Sequence, residues 1–231
     1  MKKYELTAEF IEKWGKKLFR IKALISFGSV EAGELGGYVE KEDNLAQDGD
    51  AWVCDNARVY GDARVYGDAR VCGNAWVYGD ARVYGDARVY GDAEVCGNAR
   101  VCGNAEVCGN ARVCGDARVC GDAWVYGDAR VYGDAEVCGN AWVCGNADYL
   151  LIGRIGSRFS FTTFFKNKDK GITVSCGCFL GTIAEFRAKV TDTHGNNKHA
   201  KIYNLAADMA ELQILGEEHF DKLNTNKSEP F

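Results

Sequence analysis

AWVCDNARVYGDARVYGDARVCGNAWVYGD, residues 51–80, opens a stretch that repeats with a period of six as far as Ala147. The pattern is A-x-V-(Y/C)-G-(D/N), with x mostly Arg, Trp or Glu, and sixteen valines keep phase without a gap from Val53 to Val143. A repeat this regular has to be read before local propensity, because it sets the architecture. Ala and Val are two residues apart, so in an extended chain they share one face and x takes the other. The Gly and Asp/Asn that follow are turn residues: Gly accepts positive φ, and Asp or Asn can bond its own backbone. Each hexad is therefore a short strand and a corner. A strand of three residues cannot bury its inner face alone, so the hexads must wind into a solenoid that stacks on itself.

The rest of the composition narrows the classes. The chain has 231 residues, 28 Lys+Arg against 33 Asp+Glu and a net charge of −5, which gives no bulk-charge support for a nucleic-acid or membrane-surface protein. No run of 18 apolar residues exists to span a bilayer, and MKKYELTAEF has no apolar stretch behind its lysines. A cytoplasmic setting is expected, with the 11 cysteines reduced; an odd count also argues against a fully paired framework.

The repeat resembles the hexapeptide-repeat, left-handed parallel β-helix family. That resemblance implies three hexads per triangular coil, vertical neighbours 18 residues apart, and a mainly β solenoid of about five coils, roughly 25 Å tall. The expected organisation is an N-terminal α/β cap (1–50), the β-helix (51–152) and a small α+β domain (153–231). Ala32 to Ala63 is similar to uncharacterised bacterial and phage hexapeptide-repeat proteins, some of which carry an acyltransferase label. Gly156 to about Leu215, with SCGCF and THGNNKHA, looks like a small domain recurrent in phage and prophage proteins. Acyltransferases of the family typically use a His as general base and the related carbonic anhydrases hold zinc with three, yet the chain has no His before His194. Catalysis on the solenoid is not expected, and no catalytic residue is carried over.

Stacking at 18 residues sorts the outward residues into three faces: Trp52, Arg70, Arg88, Glu106, Trp124, Trp142; Arg58, Trp76, Glu94, Arg112, Arg130; and Arg64, Arg82, Arg100, Arg118, Glu136. The Arg64/Arg82/Arg100/Arg118 column suits an anion or an acidic protein, or is a solvated face balanced by corner acids such as Asp62, Asp80 and Asp116. Trp124 and Trp142 are vertical neighbours and mark a protein contact, self-association before a foreign partner. Nine cysteines share the position after Val with Tyr. They fall into columns (Cys54 and Cys72; Cys96 and Cys114; Cys102, Cys120 and Cys138) within disulfide range, but in-register parallel side chains are expected to point past one another. Repeat drift is the simplest account of them.

At the ends, Ala8 to Leu18 has Phe10, Ile11, Trp14 and Leu18 at helical spacing with Thr7 as N-cap, followed by a strand from Arg20 to Phe27. Beyond the repeat, 159–165 and 171–176 read as a hairpin across NKDKG. Thr182 to Thr193 reads as a helix opened by a Thr182/Glu185 capping box. A second helix, His199 to Leu215, carries Ile202, Leu205, Ala206, Met209 and Leu212 on one side, expected to pack on the hairpin. Cys176, Cys178, His194 and His199 are buried structural groups or a zinc site, and a Cys–His nucleophile with Arg158 or Asn197 assisting is a further option.

The expected function is a non-catalytic scaffold, a dimer or trimer, that presents its Arg and Trp faces and its C-terminal domain to a protein partner. If the chain is phage or prophage encoded, that partner is a virion component or a host protein, a defence factor included. The alternatives are an acyltransferase with an inter-subunit site using His194 or His199, and capture of an anionic ligand or nucleotide along the Arg column. No cofactor is needed, zinc being the one candidate, and neither membrane nor nucleic acid is an expected partner.

Overall fold

Each hexad forms one two-residue strand, sixteen in all from β4 (Trp52–Val53) to β19 (Trp142–Val143), in a computed structural model that describes residues 2–217. The strands stack in three parallel sheets, one per face, with partners 18 residues apart: Val53 on Val71, Val59 on Val77 and Val65 on Val83. All sixteen valines and the alanines between them are buried. The corners depend on glycine. Gly97, for example, has φ +66°, and a Cβ there would lie 3.0 Å from the Gly115 nitrogen of the next coil.

The solenoid makes about six turns, one more than the hexads alone supply. Strand β3 (Leu35–Val39) pairs in parallel with Arg58–Val59, and Leu45 bridges Val65. These residues lack the hexad motif but put Val39 and Leu45 where the repeat puts Val, and both are buried.

Backbone pairing along the solenoid is directional. Arg88, Tyr90 and Asp92 donate their N–H groups to the carbonyls of Ala105, Val107 and Gly109 at 2.9, 3.0 and 2.9 Å; the x and Tyr/Cys amides of the other inner hexads do the same, the Asp/Asn amides only in some. The C-terminal end is thus left with surplus N–H groups and the N-terminal end with surplus C=O groups, all of which need partners. The caps are chemically matched to this polarity. At the N-terminal end Lys3 Nζ donates to the Asp48, Gly49 and Ala51 carbonyls (3.3, 3.1 and 2.9 Å), and Asn44 Nδ2 donates to those of Gly61 and Ala63 (3.0 and 2.8 Å). At the C-terminal end Asn146 Oδ1 accepts from Arg130 N–H, Thr163 Oγ1 from Glu136 N–H, and Asp148 Oδ2 from the N–H groups of Cys144 and Gly145, each at 3.0 Å.

The N-terminal cap is a hairpin, not the helix expected over 8–18. Strands β1 (Tyr4–Lys13) and β2 (Lys16–Ala23) run antiparallel, and β2 continues the solenoid sheet through β3; the strand expected over 20–27 is thus shifted to 16–23. Trp14 and Gly15, with φ 48° and 73°, form the tight turn. The free sheet edge and this turn override the helical spacing of Phe10, Ile11, Trp14 and Leu18.

After the last hexad, β20 (Tyr149–Ile155), β21 (Ser160–Lys166), β22 (Ile172–Cys176) and β23 (Phe179–Thr182) form an antiparallel sheet in that order. The expected hairpin is its centre. Phe165 joins the solenoid core and plugs its end, while its neighbour Phe164 faces the opposite way into a second core. Helices α1 (Ile183–His194), with the Thr182/Glu185 capping box, and α2 (Lys198–Leu215) cover that second core.

Helix α2 packs by the face opposite to the one its large residues suggest. Ala200, Tyr203, Ala206, Ala207, Ala210 and Ile214 are buried. Of the expected inward stripe only Ala206 is inside, whereas Ile202, Leu205, Met209 and Leu212 are 38%, 63%, 58% and 45% exposed. The alanines let the helix lie close to the sheet, and Arg187 Nη2 pins it at 2.7 Å from both Asp208 and the buried Glu211.

Candidate functional site

The three faces contain the residues the 18-residue register assigns to them, but the caps change what each shows to solvent. On the first face Trp52 is buried beneath Tyr4 and Phe27, with ring centroids 6.3 and 5.4 Å away. On the second, Trp76 lies 4.7 Å from Trp14 at the tip of the N-terminal hairpin, and Arg58 sits 4.9 Å over its ring. Of the tryptophans on the solenoid faces, Trp124 and Trp142 are therefore the exposed pair, at 47% and 40%; Trp14, at the hairpin tip, is 66% exposed. Their rings meet edge to face at 6.2 Å, and Tyr126 is 6.2 Å from Trp142. With Asp122, Asn140, Ala141 and Lys168 they line a cleft of about 340 Å³. Lys168 belongs to the NKDKG turn, held by a 3.2 Å bond from its N–H to the Asn140 carbonyl. The repeat pattern alone carries no signal for that contribution, because it comes from the turn between β21 and β22.

On the third face Arg64, Arg82, Arg100 and Arg118 stand in register on consecutive coils. Arg118 is paired with Glu136 at 3.0 Å, whereas Arg64, Arg82 and Arg100 have no ion-pair partner within 4 Å among the described residues. The groove at the N-terminal end of this column, about 520 Å³, is lined by Glu42 and Asp43 as well as Arg64 and Arg82. Its charge is therefore mixed, not uniformly basic.

The cysteine columns depart from expectation. Cys54–Cys72, Cys96–Cys114 and Cys120–Cys138 are disulfide-bonded across adjacent coils, with Cα separations of 4.7, 4.6 and 4.6 Å. Parallel register brings the Cα atoms close enough for the sulfurs to meet, where diverging side chains were expected. Disulfides persist in oxidising surroundings and free thiols in reducing ones, so the redox state of these pairs reports the compartment. Among the described residues Cys54, Asp55, Cys72 and Cys120, Glu136, Cys138 also group closely enough to hold a metal, but only as thiolates, which the bonded sulfurs are not. Alkylation of the unfolded, unreduced chain is expected to label five cysteines: Cys102, Cys108, Cys144, Cys176 and Cys178. Labelling of all 11 would contradict the paired columns.

In the C-terminal domain, Cys176, Cys178 and His194 line one cavity of about 220 Å³ with Arg158, Lys189 and Tyr203. His194 stacks on Tyr203 at 5.8 Å and lies 5.8 Å from His199. Cys176 Sγ is 3.2 Å from the Thr162 hydroxyl. Burial, then the neighbouring Cys176, pushes the Tyr203 hydroxyl up to about 12, so it stays a neutral donor at physiological pH. His199 is not on the cavity wall, and Asn197 caps α2 by accepting from the His199 and Ala200 N–H groups.

Compared with known proteins, four stretches of the repeat, residues 51–67, 63–79, 81–97 and 111–127, match the family model described as YdcK beta solenoid repeat. No curated protein matches the chain. The matches and the coil geometry agree: this is a repeat β-solenoid protein.

Proposed function

We propose that the chain is a non-catalytic scaffold, self-associating and rigid, that displays its Trp and Arg faces and its C-terminal domain to a protein partner. The Trp124/Trp142 cleft carries this reading. Adjacent exposed aromatics with one acidic and one basic neighbour have the composition of a protein-binding hot spot, an apolar centre with a polar rim. The cleft is concave, so it takes a protruding apolar or aromatic side chain from a different surface. An isologous contact would instead need the same patch to be convex as well. The unpaired Arg64, Arg82 and Arg100 offer acidic groups of that partner a second, salt-sensitive contact. The likeness of the two ends to phage and prophage proteins makes a host or phage protein the natural partner.

Affinity capture from host lysate tests the proposal. A protein retained by wild type and by a mock surface variant is expected to be lost with Trp124→Ser/Trp142→Ser, and weakened at high salt or with Arg82→Ala/Arg100→Ala. Identical retention by all variants would overturn it. So would acetyl-CoA turnover on amines or amino sugars that is abolished by changing His194 and His199 together.

A further inference from the structure

From the outward stripe of α2 we infer that the chain dimerises through this helix, against the same helix of a second copy running antiparallel. The inference names the interface for the self-association proposed above and rests on that reading. Ile202, Leu205, Met209 and Leu212 follow one another at intervals of three, four and three residues, the seam spacing of helices that pack side by side. All four are exposed while the opposite face of the helix is already packed on the sheet, so the stripe has no partner among the described residues. Helix α1 exposes no comparable seam: its large apolar residues Phe186 and Val190 are buried.

Symmetry and charge identify the occupant. Two copies related by a two-fold axis near Ala207 bring Ile202 opposite Leu212 and Leu205 opposite Met209, four apolar layers from one repeated patch. The same operation sets Lys198, at the start of the helix, beside Gly216 and Glu217 of the second copy, just past its end, twice in each dimer. Lys198 and Glu217 are both exposed. Antiparallel helices also oppose their dipoles favourably. Parallel pairing would instead place Lys198 against Lys198.

Sedimentation velocity of the full chain over a concentration series tests this. A dimer is expected for wild type and a monomer with unchanged far-UV circular dichroism for Leu205→Glu/Met209→Glu. Reversing Lys198→Glu is expected to weaken the dimer about tenfold, and adding Glu217→Lys to restore it. Trp124→Ser/Trp142→Ser is expected to leave the dimer intact. A wild-type oligomer untouched by the seam variants would overturn the α2 interface while leaving self-association standing. A wild-type monomer at every concentration would overturn both.

Discussion

Replacing Val107 by Asp is expected to remove the cooperative folding transition of the solenoid, a loss of more than about 4 kcal/mol, although the neighbouring residue is already a carboxylate. Glu106 and Val107 differ only in which way the strand points them. Glu106 faces outward, accepts a 2.9 Å bond from the Tyr90 hydroxyl and lies 3.9 Å from Arg88. Val107 is fully buried between Val89 and Val125 of the flanking coils. A charge there has neither water nor a partner, and the defect is shared by both neighbouring coils because a solenoid is held by nearest-neighbour interfaces. Val107→Ala should cost about 2 kcal/mol, the lost methyls plus the void, and Glu106→Val under about 0.5 kcal/mol. Denaturant unfolding checks the set, and equal effects at positions 106 and 107 would contradict the inward–outward assignment.

The second large effect is expected at the C-terminal cap. Asp148 is buried, accepts the N–H groups of Cys144 and Gly145 that the last coil leaves unpaired, and pairs with Lys166 at 3.2 Å. Asp148→Ala strands those two donors and a partly buried ammonium, a loss of about 3–5 kcal/mol concentrated in the last coil. Burial pushes the Asp148 carboxyl up, but the hydrogen bonds from Cys144 and the contact with Lys166 outweigh it, and the net direction is downward. The sign follows: stabilisation from this group is complete above the unfolded carboxylate value near pH ~4 and is lost as pH falls through the lower folded value. Between wild type and Asp148→Ala, the stability difference should therefore shrink in acid. A difference that stays constant with pH would show that the carboxylate is not the capping group.

How much of this the residues reveal depends on how local the cause is. Val, Ala and Gly recur because each coil needs the same inner face and corner, so sixteen hexads and three faces can be read directly. The first coil escapes that reading, since Val39 and Leu45 fill valine positions without the motif around them. Phe10, Ile11, Trp14 and Leu18 fit a helix by spacing, while the sheet edge that claims the 8–18 segment lies in residues 35–59. Residue size points the wrong way for α2: alanines set how closely a helix can approach a sheet, and the larger residues are left outside. In the candidate cleft Trp124 and Trp142 are legible from the 18-residue register. Lys168 is not, because its position depends on how the C-terminal sheet docks on the last coil. The disulfides lie between the two cases, since spacing predicts their proximity but not their side-chain directions.

Every displayed face depends on one claim, that the repeat forms a single capped ladder in 18-residue register. Native-state hydrogen exchange tests it most directly. High and similar protection is expected for the x and Tyr/Cys amides of the inner coils from residue 76 to 125, with Asp148→Ala releasing only the amides of the last coil. Protection confined to separate blocks, or absent from the repeat while the C-terminal domain is protected, would contradict it.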